Sequence, residues 1–218
     1  SATGPQMEIL PANGFTVSLA PESANLFDED QLVEVLKDSV ASVAGSEPYS
    51  RKVIEANPQL RVIARSGVGF DAVDLAACDE HGVVVATTPG VNHHAVAEHT
   101  ISLLLGVARG FPRLDQTVRD GSWVRRATPR VMGATLGIVG LGRIGRAVAT
   151  RARGLGMHVV AFDPYPSEEF ADQWQIDVVS FDDLLAQSDY VTMHSPSSPE
   201  TLHMINAQTL AKMKAGSV

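Results

Sequence analysis

Residues 135–145 read TLGIVGLGRIG, an apolar run that breaks into glycines at positions 140, 142 and 145. Apolar, β-rich residues precede the glycines, and a helical pattern of small and apolar residues follows them. A second apolar segment, residues 158–162, ends in Asp163. Strand, G-x-G-x-x-G, helix, strand and acid in this order are the arrangement that binds a dinucleotide in an α/β domain. The alternative, a glycine-rich turn without a ligand, is disfavoured by these ordered surroundings.

Each part of this stretch has a physical role in binding a dinucleotide. Gly140 makes the tight turn from strand to helix, and Gly142 lets the backbone approach a pyrophosphate that a Cβ would block. Gly145 lets the helix pack closely on the sheet, and the helix N-terminus presents free N–H groups to the phosphates. Asp163 is placed to accept hydrogen bonds from a ribose 2′-hydroxyl and to repel a 2′-phosphate, so we expect NAD as the cofactor.

Composition and charge exclude several classes of function. The chain has 218 residues, 44% of them hydrophobic, and a formal net charge of −8, which suits a soluble globular protein and argues against nucleic acid as the main partner. The one cysteine, Cys78, allows no intramolecular disulfide, and the histidines lack the spacing of a metal site. The longest apolar stretch, residues 100–108, is too short to span a bilayer, and we expect no signal peptide. We therefore expect a cytoplasmic protein with no membrane partner and no metal.

Strands and helices already alternate before the glycine motif. The pattern predicts strands at residues 15–19, 42–44, 60–64 and 83–86, and helices at residues 28–37, 50–56 and 71–80. Alternation of this kind indicates a parallel sheet covered on both faces.

Pro89-Gly90 interrupts the alternation, and a long helix at residues 94–110 is predicted to connect two α/β domains. We expect a second helix at residues 112–120. After Asp163 the pattern predicts strands at 177–179 and 190–193, helices at 182–187 and 208–214, and the approach to a fifth strand at 216–218. The chain is therefore predicted to be α/β, with two doubly wound parallel-sheet domains at residues 1–92 and 93–218.

Five segments together resemble the D-2-hydroxyacid dehydrogenases, a family that includes D-3-phosphoglycerate dehydrogenase. They read RSGVGFDAVD at 65–74, TPGVN at 88–92, AVAEH at 95–99, GIVGLGRIG at 137–145 and AFDPY at 161–165. The resemblance implies a flavodoxin-like substrate-binding domain and an incomplete Rossmann NAD-binding domain. It implies NAD-dependent hydride transfer between nicotinamide and a D-2-hydroxy or 2-oxo acid, such as 3-phosphoglycerate, glyoxylate, hydroxypyruvate or lactate. It also implies a homodimer.

The resemblance assigns roles residue by residue. The backbone N–H groups of Gly67 and Val68 would bind the substrate carboxylate, helped by Arg65, with Asn92 also on the substrate side, and Val68 would touch the nicotinamide. The other implied cofactor-binding residues are Gly140, Gly142, Arg143, Ile144, Gly145, Asp163, Ser195, Pro196 and Thr201. Two alternatives stay open: Arg65 as a solvated arginine at a strand end, and Asn92 as a helix N-cap.

The chain also departs from the family pattern. The family's catalytic arginine, glutamate and histidine follow the segment at residues 212–218, so we expect this chain alone to lack them and to be inactive, with His99 and His194 structural. We expect the family's opening strand to be missing, because residues 7–10 suit the first helix better. Residues 44–47 read AGSE where phosphoglycerate dehydrogenases carry an Arg-Ser pair, which disfavours 3-phosphoglycerate as the substrate.

Two other functions remain as alternatives. One is an NAD(H)-sensing binding module, similar to the corepressor branch of the family, in which catalysis is not required. The other is a different Rossmann enzyme, such as a methyltransferase or short-chain dehydrogenase, which the segments at 65–69 and 88–92 disfavour. Oxidation of NADH by a 2-oxo acid would separate the dehydrogenase from the binding module.

Overall fold

The computed structural model describes residues 4–218, and the chain forms two compact units, Ser1–Pro89 and Gly90–Val218. Both units contain helices and parallel strands, so the predicted α/β class is confirmed. The division falls at the Pro-Gly pair, close to the expected boundary after residue 92.

The first unit has three parallel strands in the order β1-β2-β3. Its elements are α1 (Gln6–Ala12), α2 (Glu29–Leu36), β1 (Ala41–Ala44), α3 (Arg51–Ala56), β2 (Val62–Arg65), α4 (Leu75–His81) and β3 (Val84–Ala86). Successive right-handed crossovers in one direction place the connecting helices on the same face of a sheet. Leu32, Ile54 and Ala77 of α2, α3 and α4 accordingly form one core with Ile63 of the sheet.

On the other face of this sheet, Val43 and Val84 are 58% and 63% exposed. Within residues 4–89, α2, α3 and α4 therefore cover one face, and the cover on both faces that was expected for this part of the chain is not found there. Helix α4 begins at Leu75 and not at residue 71, because the Asp74 side chain accepts the N–H of Ala77 and caps the helix there.

The strand predicted at residues 15–19 is wrong. These residues have irregular backbone, and Phe15 and Leu19 are half exposed. Their alternation of apolar and polar residues suits a strand, but a strand needs hydrogen bonds from a neighbour, and these residues pair with none of β1, β2 and β3. The apolar residues Met7, Ile9 and Leu10 lie in a helix, α1, as expected.

The second unit has four parallel strands in the order β6-β5-β4-β7. Its elements are α5 (His93–Arg109), α6 (Phe111–Arg119), β4 (Thr135–Val139), α7 (Arg143–Gly154), β5 (His158–Phe162), α8 (Glu168–Trp174), β6 (Asp177–Val178), α9 (Phe181–Gln187), β7 (Tyr190–Met193) and α10 (Ala207–Leu210). The chain moves outward from β4 to β5 and β6, and then returns to place β7 on the other side of β4. The strand order therefore reverses beside β4, which is where α/β sheets bind ligands.

Helices cover both faces of the second sheet, so the doubly wound arrangement is confirmed for this unit. On one face Leu136 and Ile138 pack with Ala97 of α5 and Val148 of α7. On the other face Leu184 and its neighbours in α9 pack against the sheet. None of the helices in residues 4–218 combines the length and the apolar composition needed to cross a bilayer.

The last described residue already extends this sheet. The Val218 N–H donates to the Asp189 carbonyl at 3.0 Å, and the Val218 carbonyl accepts from the Val191 N–H at 2.8 Å. Val218 therefore lies along the free edge of β7, as the expected approach to a fifth strand requires. Helix α10 is shorter than predicted and ends at Leu210.

Candidate functional site

The glycine loop between β4 and α7 lies where the strand order reverses. Gly140 has a φ of +93°, which side chains rarely adopt, and a Cβ there would lie 2.7 Å from the Ser195 backbone nitrogen. The His194 N–H also donates to the Val139 carbonyl at 2.7 Å. The loops that follow β4 and β7 are therefore in direct contact, and Gly140 permits that contact.

Gly145 brings helix α7 onto the sheet. A Cβ at this position would collide with the carbonyl oxygen of Gly140 and would lie 3.4 Å from Cγ2 of Ile138 in β4. The expected role of this glycine in helix–sheet packing is therefore explained by a specific steric conflict.

Gly142 differs from the other two glycines of the motif. It precedes α7 with a φ of −73°, which any residue can adopt, and a Cβ there would meet no atom within 4 Å. Neither the backbone nor the packing of the protein requires a glycine here. The open space lies at the N-terminus of α7, whose first N–H groups lack partners within the helix and attract anions. The loop therefore fits a pyrophosphate that approaches the backbone closely.

Asp163, at the end of β5, is fixed by two backbone N–H groups. Its Oδ2 accepts from Leu141 at 2.6 Å, and its Oδ1 accepts from Tyr165 at 2.8 Å. A carboxylate has about four lone-pair sites, so two remain to accept hydrogen bonds from a ligand. Arg146, which was not predicted from the sequence, holds the same loop through a 3.0 Å hydrogen bond from Nε to the Leu141 carbonyl.

The loop after β7 contains the other predicted cofactor-binding residues. Ser195 adjoins Gly140, and the Thr201 hydroxyl donates to the Pro196 carbonyl at 2.7 Å. Thr201 also accepts the N–H of Ser198 at 2.9 Å, so its hydroxyl orders this loop. The exposed Arg143 and half-buried Ile144 form the first turn of α7.

His194 lies at the end of β7 and is partly buried. Burial lowers the pKa of its imidazole below the usual value of 6.5, which favours the neutral ring. Its Nε2 is 3.0 Å from the Thr192 hydroxyl. The other histidine considered from the sequence, His99, is exposed on α5.

In the first unit, Arg65 ends strand β2 and is only 9% exposed. The alternative of a solvated strand-end arginine is therefore wrong. Its Nε is buried without a hydrogen-bond partner, and its Nη2 lies 3.6 Å from where a Cβ on Gly67 would be. The Thr88 N–H donates to the Gly67 carbonyl at 2.9 Å and fixes the turn, whereas Val68 remains exposed.

A buried tyrosine beside Arg65 was not predicted from the sequence. The Tyr49 and Ser42 hydroxyls are 2.6 Å apart. Burial raises the pKa of Tyr49 above 10.0, the Ser42 hydrogen bond lowers it, the charge of Glu47 raises it and that of Arg65 lowers it. The register that pairs Ala44 with Arg65 brings these groups to one edge of the sheet.

Asn92 belongs to the second unit and precedes helix α5. Its side chain makes no capping hydrogen bond, and its Oδ1 is buried without a partner. Asn92 is therefore the N-cap residue of α5 by position, as the alternative expected, but its side chain does not cap the helix. Because buried acceptors nearly always have a donor, this oxygen is a candidate for contact with a ligand.

Comparison with known proteins agrees with these features. The family model described as "D-isomer specific 2-hydroxyacid dehydrogenase, NAD binding domain" matches residues 101–218, more than half of the chain. D-3-phosphoglycerate dehydrogenase of Mycobacterium tuberculosis is 41% identical over 192 residues, which cover 87% of this chain and 36% of that protein.

Two solved structures have the same fold as this chain. The TT0316 protein of Thermus thermophilus superposes with a TM-score of 0.84 at 34% identity, covering 97% of this chain and 68% of that one. D-lactate dehydrogenase of Aquifex aeolicus, solved with NAD and lactic acid, gives a TM-score of 0.76 at 29% identity, with coverages of 84% and 56%.

The chain spans little more than a third of the length of the curated relatives that it matches. The region matched by the family model contains the glycine loop, Asp163 and the loop after β7. The chain belongs to the D-isomer specific 2-hydroxyacid dehydrogenase family, and residues 101–218 are the NAD-binding domain of that family.

Proposed function

We propose that the full-length protein carrying residues 1–218 is an NAD-dependent dehydrogenase. It would transfer a hydride between nicotinamide C4 and C2 of a D-2-hydroxy or 2-oxo acid. The observation that carries this proposal is Gly142, a glycine that the protein's own backbone and packing do not require. A glycine at this position is explained if a pyrophosphate binds at the N-terminus of α7, because a side chain would block its approach.

The residues of the second unit would bind and orient the cofactor. The N–H groups at the start of α7, from Arg143 and Ile144, bind the pyrophosphate, while Asp163 binds the adenosine ribose and repels a 2′-phosphate. Ser195 and Pro196 pass along the adenosine. Bound NAD supplies the nicotinamide ring that accepts or donates the hydride.

The substrate carboxylate would be bound by residues of the first unit. Consecutive N–H groups of a glycine-containing turn, here Gly67 and Val68, form a concavity that binds anions, and Arg65 adds a positive charge beside it. The unpaired Nε of Arg65 supports this role, since a buried guanidinium N–H normally has an acceptor. We also propose that the buried Oδ1 of Asn92, in the second unit, contacts the substrate, and that Val68 contacts the nicotinamide.

The proton that accompanies the hydride needs a general acid or base, and neither histidine considered above suits that role. The His194 ring is hydrogen-bonded to the Thr192 hydroxyl of β7, and His99 is exposed on α5. We infer that the family's catalytic arginine, glutamate and histidine lie outside residues 1–218, and that these residues alone do not turn over substrate.

We further propose a cytoplasmic homodimer that assembles through the α5–α6 region. Helix α6 buries none of its residues within the chain, and large apolar side chains stay exposed there and in the segment that follows: Leu103, Val107, Phe111, Val118 and Trp123. Apolar surface of this kind is typical of an interface between protein chains. The unpaired Cys78 suits a reducing compartment.

The test is NADH oxidation by the full-length protein, followed at 340 nm with glyoxylate, hydroxypyruvate and pyruvate. Turnover of at least one of these acids is expected. Tight NADH binding without oxidation by any of them would overturn the enzymatic proposal and would fit an NAD(H)-sensing module.

A further inference from the structure

The carboxyl edge of the first sheet holds two opposite charges in neighbouring loops. Arg65 ends β2, and Glu47 lies in the loop that follows β1. The strand register pairs Ala44 with Arg65, and the Ser66 N–H donates to the Ala44 carbonyl at 2.8 Å. The two loops therefore leave the sheet side by side.

Glu47 is held in place by the backbone of its own loop. Its Oε2 accepts the Gly45 N–H at 2.6 Å, and its Oε1 lies 3.0 Å from where a Cβ on Gly45 would be. A side chain at position 45 would therefore displace the carboxylate. Within residues 4–218 neither Glu47 nor Arg65 forms an ion pair, so both charges are available to a ligand.

The buried Tyr49 follows Glu47 by two residues, and its hydroxyl lies 2.6 Å from the Ser42 hydroxyl of β1. Besides the larger effects of burial and of the Ser42 hydrogen bond, Glu47 raises the pKa of this phenol and Arg65 lowers it. These directions agree with the geometry, in which the pairing of Ala44 with Arg65 places the loop that carries Glu47 beside the turn that begins after Arg65. The anion-binding turn that begins after Arg65 is therefore in the field of a fixed carboxylate.

Within residues 4–89, the lysines and arginines other than Arg65 all make contacts away from that carboxylate. The other lysines and arginines in residues 4–89 are bound elsewhere: Lys37 to Glu34, Arg51 to Glu80, Lys52 to Asp30, and Arg61 to the carbonyls of Pro58 and Leu60. The turn with Arg65 matches the single charge of a carboxylate. A phosphate ester would add a charge of about −2 at pH 7.

We propose that Glu47 is a specificity residue. Its negative charge makes the carboxyl edge of the first sheet select unphosphorylated 2-hydroxy and 2-oxo acids over their phosphorylated counterparts. The proposal rests on the dehydrogenase function proposed above and narrows its substrate class. It separates this chain from the D-3-phosphoglycerate dehydrogenases that it resembles, since their named substrate carries a phosphate.

The test compares two substrates that differ only in a phosphate, hydroxypyruvate and 3-phosphohydroxypyruvate, with NADH and the full-length protein. We expect kcat/KM to favour hydroxypyruvate by about tenfold or more, as repulsion between close charges implies. Glu47→Gln should move the ratio of the two kcat/KM values towards the phosphorylated acid by about tenfold. Glu34→Gln, which removes the same charge from the exposed surface of α2, should leave the ratio unchanged.

The possible results separate the two proposals. Equal or better turnover of the phosphorylated acid, or an unchanged ratio in Glu47→Gln, overturns the role of Glu47 and leaves the dehydrogenase function standing. Absence of NADH oxidation with these two acids and also with glyoxylate and pyruvate overturns the dehydrogenase function and this inference with it. If Glu47→Gln does not fold, the ratio of the two kcat/KM values in the unaltered protein still decides between unphosphorylated and phosphorylated substrates.

Discussion

Replacing Gly142 by alanine should weaken cofactor binding while leaving the fold intact. Its φ of −73° suits alanine, and the added Cβ would meet no atom of the protein within 4 Å. Alanine is a poorer residue than glycine at a helix N-cap, so the free energy of unfolding should fall by about 1 kcal/mol or less. The variant should therefore be purified as a folded protein.

The loss of binding can be worked out from the same geometry. The Cβ would stand between the pyrophosphate and the N–H groups at the start of α7. Losing one hydrogen bond to a charged phosphate oxygen costs about 1.5–3 kcal/mol. This corresponds to an increase in Kd for NADH of about 10- to 100-fold.

Titration of the full-length protein with NADH, followed by calorimetry, measures this Kd, and urea denaturation measures the stability. Gly154→Ala is the matched control, because a Cβ at this last residue of α7 also meets no atom within 4 Å. It lies about 18 Å along the helix from Gly142, so NADH binding should not change. A Kd for Gly142→Ala within twofold of the unaltered protein would refute the account of the glycine loop.

Three further predictions follow from the second unit. Gly145→Ala should lower the free energy of unfolding by about 1–3 kcal/mol, because its Cβ collides with the Gly140 carbonyl, and an unchanged urea midpoint would contradict this. Asp163→Ser should reduce the preference for NADH over NADPH by about tenfold in paired titrations, and an unaltered preference would show that the carboxylate does not face the ribose. The hydrogen bond from the Thr135 N–H, and to a smaller extent that from Lys214, holds the pKa of Asp189 below its usual 3.8. The stability that the ionised Asp189 contributes is therefore complete above about pH 4 and is lost as the pH falls further. Asp189→Asn should therefore lose less stability than the unaltered protein between pH 7 and pH 3 in urea titrations, and an equal loss would refute the assignment.

The second unit could be predicted closely from the sequence because its signals are local. Strands β4 and β5 are short apolar runs bounded by turn residues, and the glycines between β4 and α7 mark the connection. The prediction of a strand at residues 15–19 was wrong because strand pairing depends on a neighbour distant in sequence. The local alternation of apolar and polar residues carries no information about that neighbour. Helix α4 began later than predicted because the side chain of Asp74 selects the start.

The candidate site was predictable only in part, for the same physical reason. The roles of Gly140 and Gly145 follow from a motif whose spacing is fixed by one turn and one helix. The proximity of Glu47, Tyr49 and Arg65 depends on the register between β1 and β2, which no single segment encodes. The buried state of Arg65 likewise became clear from the packing around it.

A crystal structure of the full-length protein with NADH tests most directly whether the N-terminus of α7 binds the pyrophosphate. We predict pyrophosphate oxygens about 2.7–3.2 Å from the backbone nitrogens of Arg143 and Ile144, with the adenosine ribose bound to Asp163. A pyrophosphate bound away from the N-terminus of α7 would contradict this prediction.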